Sequence, residues 1–517
     1  MNTHFALCRL RNLDQRHIST STSWRKMAAS AVLGWVQEMP IAHLALSALA
    51  IWAIGYLSLH IYLEPLHSIP GPLICRLTPL WSWYHSIIGD ESRQIDALHK
   101  RHGPIVRISP NQVVIADGRA LAQIYSEKGG FLKAPFYENF DAEGHQTIFS
   151  ARDPGYRGVR SKAVGQMFSV GAVKGGSERI QGCVDEFVEK LKEEAGKNGA
   201  RVDVLSLARG LAINVVGLYL FGEEYGDLHD ATTMESAGAY VDFIVDVGRF
   251  FFLPPWLFQR VLALLGYFQP MPPETEKGMA KVDSFTSRLA ERPIDDNDET
   301  YQSRLLQAGI RVSETDVQMK DVVFAGTDTT ALNLSNIIWN LAKHPDVYGK
   351  LQAELAQSAD DDLAHGSRQY PYLDGVIREG LRTLRANPTR FPRQVPPAGY
   401  TYTSPAGRTY HLPSGTIVGL SPSTLHFNPA VFPVPQAFQP ERWLNPSSEM
   451  LIDWIPFGIG PRQCIARNLA MVELELAVKT IVRSGVLKDA KPVADKIEIM
   501  EWFNARIVGG KIELVWT

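Results

Sequence analysis

Along the chain, the first strong signal is a run without charge. Residues 41–63, IAHLALSALAIWAIGYLSLHIYL, contain no Asp, Glu, Lys or Arg. As a helix this length spans a hydrocarbon core of about 30 Å, and it exceeds the apolar stretch of a cleaved signal peptide. The pattern predicts a transmembrane anchor. Residues 64–80 are broken by prolines and predict a stiff hinge. From about 155 to 385, apolar residues recur with helical spacing, and 321–346 predicts one long helix stopped before Pro345. Strand-like alternation is confined to three places. GPIVRISPNQVVIAD at 103–117 predicts a hairpin, 400–420 is β-rich, and 504–516 predicts a second hairpin around Gly509-Gly510. The expected fold class is mainly α with a smaller β portion, preceded by one transmembrane helix. The chain divides into an N-terminal extension (1–40), the anchor (41–63), the hinge (64–80) and a large domain (81–517).

Composition narrows the partners more than the fold. The 517 residues carry a formal net charge of −3, with no basic excess to hold nucleic acid. Cys8, Cys75, Cys183 and Cys464 are scattered without a CxxC pair, which speaks against structural zinc and fits a reducing compartment. Charge also bears on orientation. Arg9, Arg11, Arg16, Arg25 and Lys26 precede the apolar run, and only Arg76 soon follows it. Taken literally, the positive-inside rule leaves the N-terminus in the cytosol and sends the large domain across. Translation from Met27 would remove all five basic residues and reverse that expectation. Native peptides from residues 1–26 would exclude such a start.

Four constellations carry candidate chemistry. FGIGPRQCIA, residues 457–466, sets Cys464 between a glycine turn and an apolar helical stretch. A thiol there is a packing residue, a reactive group or a metal ligand, and the amides and dipole of a helix start favour its thiolate. Arg462 could meet an anionic cofactor group. AGTDTT (325–330) interrupts the long apolar helix with hydroxyls that can bond back to the preceding turn. A surface patch or a kink is the plainer alternative to a polar notch beside a reaction centre. Glu379 and Arg382 share a helix face at i,i+3, by themselves an ordinary ion pair. YRGVRSKAVGQMFS (156–169) and RFPRQVP (390–396) present Arg160 and Arg393, which alone could be surface arginines.

Together these motifs resemble the cytochrome P-450 family. Phe457, Gly460, Arg462 and Cys464 match its F-x-x-G-x-R-x-C-x-G signature, with Ala466 where the family usually has glycine. AGTDT is similar to its oxygen-activation motif. Glu379 and Arg382 are similar to its E-x-x-R pair, and Arg442 in PERW to the arginine that completes it. The motifs follow the family's order over roughly residues 64–517. The resemblance implies a P-450 fold and haem b, with Cys464 as axial iron ligand and Phe457 and Arg462 beside it. It also implies Arg160 and Arg393 as propionate contacts, with Tyr156 replacing the family's Trp or His. Asp328 and Thr329 become catalytic residues in proton delivery, and Glu379, Arg382 and Arg442 a structural network.

The implied activity is monooxygenation of an apolar small molecule. Electrons would come from an NADPH-cytochrome reductase, with cytochrome b5 as a further donor, because the chain shows no GxGxxG dinucleotide site. That reductase would dock on the cysteine side, near Arg467. The style of KRHGPIVRISPNQVVIAD resembles membrane-bound fungal members of secondary metabolism, implying the endoplasmic reticulum with the catalytic domain in the cytosol. Residues in 135–149, 327–330, 387–391 and 502–504 are the implied pocket lining. FIVDVGRFFFLPPWLF (243–258) is either core or a lipid-dipping access segment. Two rivals stay open: a haem-thiolate isomerase or dehydratase that does not use external O₂, and a non-catalytic membrane-anchored haem protein.

Overall fold

The computed structural model describes residues 41–58, 64–197, 199–293, 297–357 and 370–516. The N-terminal extension, with Cys8 and Met27, and the last five residues of the predicted anchor lie outside the described residues. The chain separates into two compact units, 1–67 and 68–517. In the first, Ile41–Ser58 is an 18-residue helix without a charged residue. Leu46, Leu49, Ile51, Trp52 and Ile54 on it are exposed.

In the second unit the proline-rich stretch is not extended throughout. Leu73–Leu77 forms a short helix after Pro72, and Leu80–Ile88 starts a new one after Pro79. Each proline marks a boundary because it lacks the N–H that a continuing helix requires.

Two buried helices organise the interior. Val204–Val216 is buried at nearly every position and continues through a wider turn to Phe221. By length and hydropathy Val204–Phe221 could cross a membrane, yet it is packed inside the protein. Its main neighbour is Val312–Lys343, a 32-residue helix that begins earlier than predicted and ends two residues before Pro345. Leu332, Leu334, Ile337 and Ile338 there are fully buried, each contributing about 1.5–3 kcal/mol. That packing fixes the helix without help from its polar notch. Ser177–Ala195, Pro371–Leu384 and Arg467–Ser484 complete the centre.

The predicted hairpin at 103–117 is present, with Ile105–Ser109 antiparallel to Gln112–Ile115. The five-stranded sheet continues through Ile417–Gly419 and Arg393–Gln394 to Leu132–Lys133. Its register sets Lys133 opposite Arg393. Within 400–420, Tyr400–Thr403 and Thr409–Leu412 pair as a separate hairpin.

Residues 504–516 are not a hairpin. Ala505–Ile507 pairs back with Ile499–Glu501, whereas Glu513–Trp516 joins Arg201–Asp203 and Ala490–Pro492. Gly509 and Gly510, at φ 83° and 72°, carry the chain from one sheet to the other. Both flanking runs are apolar enough to pair with each other, but each pairs with strands elsewhere in the chain. The 243–258 segment also divides. Phe251, Phe252, Leu253 and Phe258 are buried, while Trp256 is 58% exposed at the start of the helix Pro255–Phe268.

Candidate active site around Cys464

The cysteine turn is built by two glycines. Gly458 and Gly460 take φ of 66° and 76°, in the left-handed region that costs other residues about 1–2 kcal/mol. A side chain at Gly460 would also collide with the Tyr125 carbonyl. The Gly458 amide donates to the Ile455 carbonyl (3.0 Å), and the Cys464 amide to the Phe457 carbonyl (2.8 Å). The helix Arg467–Ser484 begins three residues after the thiol. Cys75 and Cys183 are buried packing residues, whereas Cys464 keeps accessible surface although protein surrounds it. Burial pushes its thiol up to about 11, against the Ala466 amide and the Arg467 charge. A bound metal cation would favour the thiolate.

Near this turn, four cations from four segments converge. They are Lys133, Arg157, Arg393 and Arg462. Burial holds the Lys133 ammonium well below its ordinary pKa, with Arg393, Arg462 and Arg157 adding repulsion. Arg462 is lowered to about 10 by burial and by Arg157 and Arg393. Its guanidinium donates to the carbonyls of Ala151 (2.7 Å) and Arg152 (3.0 Å). Arg393 donates to the Pro392 carbonyl (3.1 Å) and the Tyr137 hydroxyl (3.4 Å). Lys133 donates to the Phe149 carbonyl and lies 4.0 Å over the rings of Tyr137 and Phe149. Among the described residues none of the four is ion-paired with a carboxylate.

Arg160 is not one of this group. Its guanidinium is ion-paired with Glu314 and stacked 3.4 Å over Tyr156. The Tyr156 hydroxyl donates to the same Glu314 carboxylate at 2.6 Å. Burial raises the Glu314 pKa, but these donors outweigh it and hold the group below the usual carboxylate range.

On the long helix, the Thr329 hydroxyl donates back to the Ala325 carbonyl at 2.7 Å, as the sequence predicts. Ala325 is exposed in the middle of this otherwise mostly buried helix. Asp328 is fully buried and held by Arg209 (3.1 Å) and Asn504 (3.3 Å). Burial raises its pKa, and those two donors only partly oppose the shift. Arg209 also reaches Asp242 at 3.0 Å, which pairs in turn with Arg506 at 2.6 Å.

The structural triad is assembled in full. Glu379 accepts from Arg382 through both oxygens (2.8 and 2.9 Å) and from Arg442 Nε (3.0 Å). The Gln439 amide and Trp443 Nε1 also donate to it. Arg382 in turn donates to the carbonyls of His426, Pro435 and Ala437. One carboxylate thus ties the helix Pro371–Leu384 to residues 426–443.

The sequence matches the family model for cytochrome P-450 over residues 70–500. It is 34% identical to the cytochrome P-450 monooxygenase mfmF of Annulohypoxylon moriforme, covering 88% of this chain and 96% of that protein. The chain belongs to the cytochrome P-450 family. It is also 29% identical to the monooxygenase tazI of Aspergillus terreus (82% and 87% covered) and 28% identical to stcB of Emericella nidulans (82% and 83% covered). These relatives make it a member of the fungal monooxygenase branch.

For a P-450 the cofactor to be held is haem, with iron at the centre and two propionate carboxylates at one edge. The residues present fit it. Cys464 offers an accessible sulfur, and the cations without carboxylate partners suit a dianionic edge. Sequence reasoning named two of those cations, Arg393 and Arg462, and missed Lys133 and Arg157. Arg157 shares the helix Pro154–Gly165 with Arg160. Lys133 had no local signal, because only the sheet register brings it beside Arg393.

Against this group packs an aromatic cluster. Phe136, Tyr137, Phe140 and Phe149 meet Phe251, Phe252 and Phe503, with Phe251 and Phe503 centroids 4.4 Å apart. Two of the implied pocket segments, 135–149 and 502–504, are therefore in contact. Asn387, from a third, bonds to Phe503 and Asn504, and Asn504 reaches Asp328 in the fourth.

Proposed function

We propose that this P-450 uses haem b and O₂ to insert one oxygen atom into an apolar small molecule of fungal secondary metabolism. Its electrons come from a separate NADPH-cytochrome reductase. When bound, the thiolate-ligated haem supplies O–O cleavage and an oxidant able to attack unactivated carbon. The chain's own residues do the rest. Cys464 holds the iron, flanked by Phe457. Lys133, Arg157, Arg393 and Arg462 receive the propionates, with Arg157 taking the part first assigned to Arg160. Asp328, anchored by Arg209 and Asn504, and the neighbouring Thr329 Oγ1 serve proton delivery toward the reaction centre. The aromatic cluster excludes water and presents apolar ring surface to the substrate.

The charge-free helix Ile41–Ser58 is read as part of a single-pass anchor in the endoplasmic reticulum, with the catalytic domain facing the cytosol and translation starting at Met27. Trp256, Leu264, Tyr267 and Phe268 are exposed on or beside one helix and would extend the contact with lipid.

The observation that carries this reading is the accessible Thr329 segment beside a buried, donor-held Asp328. An isomerase or dehydratase needs no such proton path. The test has two stages. A red-shifted Soret band in the reduced, carbon monoxide-bound protein, lost in Cys464→Ala, establishes thiolate-ligated haem. Thr329→Ala should then consume NADPH without matching product. Unchanged coupled turnover would count against the proton-relay role of Thr329, and product formed without NADPH would favour the isomerase or dehydratase.

A further inference from the structure

His426 closes the short helix Pro422–His426 and is fully buried. Its carbonyl accepts from Arg382 Nη1 at 2.9 Å, and its ring Nε2 meets the Ile455 amide at 3.0 Å. A backbone amide can only donate, so Nε2 carries the lone pair and the proton sits on Nδ1. That fixes the tautomer. Nδ1 itself finds no hydrogen-bond partner, so the contact with Ile455 is the ring's one polar interaction. Burial, together with the nearby charges of Arg382 and Arg385, pushes the imidazole down to about 3 and keeps it neutral.

Ile455 lies at the foot of the cysteine turn. Its carbonyl accepts from Gly458, and the Phe457 carbonyl accepts from Cys464. A continuous path therefore runs from Glu379 through Arg382 and the two ends of His426 to Ile455, and from there to the cysteine amide. In this path the imidazole is the side chain that touches the turn.

We propose that His426 is a positioning residue. Its Nε2 sets the height of residues 455–458 and thereby aims the Cys464 sulfur. The inference rests on the haem-thiolate reading above, and it separates an acceptor at one point from general packing of a buried ring.

The test compares His426→Gln, whose Oε1 can accept near the Nε2 position, with His426→Leu, which fills space but cannot accept. In the reduced, carbon monoxide-bound form, Gln should keep the red-shifted Soret band. Leu should lower the ratio of shifted to unshifted band about tenfold, because a buried amide loses its partner. Equal spectra for Gln and Leu would overturn the proposal. A wild-type protein with no red-shifted band would instead overturn the haem-thiolate reading. Where Leu fails to fold, His426→Asn, too short to reach Ile455, replaces it. Hydrogen exchange needs no variant at all. The Ile455 amide should be protected as strongly as that of Cys464, and fast exchange there would refute the contact.

Discussion

Asp328 and Arg209 form a buried ion pair at 3.1 Å, and the same guanidinium reaches Asp242 at 3.0 Å. One cation thus serves a carboxylate in the interior and another, on the helix Ala231–Gly248, that is partly open to solvent. The two sides of the pair are unequal. Arg209→Leu strands a buried charge at Asp328 and should cost about 3–5 kcal/mol of stability. Asp328→Asn leaves Arg209 its bond to Asp242 and should cost less, yet lower coupled turnover by about 10²–10⁴-fold. Melting temperature and kcat measured on both variants check this. A larger stability loss in Asp328→Asn would contradict it.

Arg157 and Arg160 should separate cleanly. Arg157→Ala removes a cation without a carboxylate partner and should lower the haem-to-protein ratio after purification, with little change in the fold. Arg160→Ala leaves Glu314 with the Tyr156 hydroxyl and His145 as its neighbours, so its effect should fall on stability. Cofactor content and thermal melts on the same preparations decide between them.

Glu379 accepts five hydrogen bonds from four residues. Glu379→Ala should leave Arg382 and Arg442 buried without an anion and cost about 3–5 kcal/mol. Far-UV melts in denaturant measure the loss. A cost below 1 kcal/mol would show that the carbonyls of 426–437 alone hold Arg382.

Asp453 supplies a pH dependence. Burial, followed by the charges of Asp117 and Glu449, raises its carboxyl to about 7. The folded state then keeps a proton that the unfolded chain releases near pH 4. That contribution is fully present below pH 4 and is lost as pH rises through 7. Asp453→Asn stays neutral throughout, so its melting temperature relative to the parent should climb from pH 5 to pH 8. The gain should be on the order of 2–4 kcal/mol. A constant gap between the two would refute the shift.

What could be read from the chain is what local geometry dictates. The Cys464 turn needs glycine at set positions, the long helix needs apolar spacing, and Glu379 with Arg382 needs only i,i+3. Partners brought in by register or by helix packing had no such signal. Lys133 reaches its cationic neighbours through one antiparallel pair with Arg393, and Arg209 reaches Asp328 across two packed helices. Arg160 shows how narrow the margin is. It lies on the same helix as Arg157, and its partner Glu314 comes from the long helix, a contact that no local pattern announces. At 504–516 the apolar alternation was read correctly as strand, but the choice of partner belongs to the whole sheet.

Tyr267 and Phe268 are 82% and 69% exposed, with Trp256 and Leu264 on the same helix at 58% and 59%. Removing residues 1–63 deletes the charge-free run but leaves this surface in place. The truncated protein should therefore still behave as a surfactant-like particle. In plain buffer it should self-associate with rising concentration, and detergent or serine at Trp256, Tyr267 and Phe268 should restore a monodisperse solution. For such a protein the choice of amphiphile matters as much as where the chain is cut.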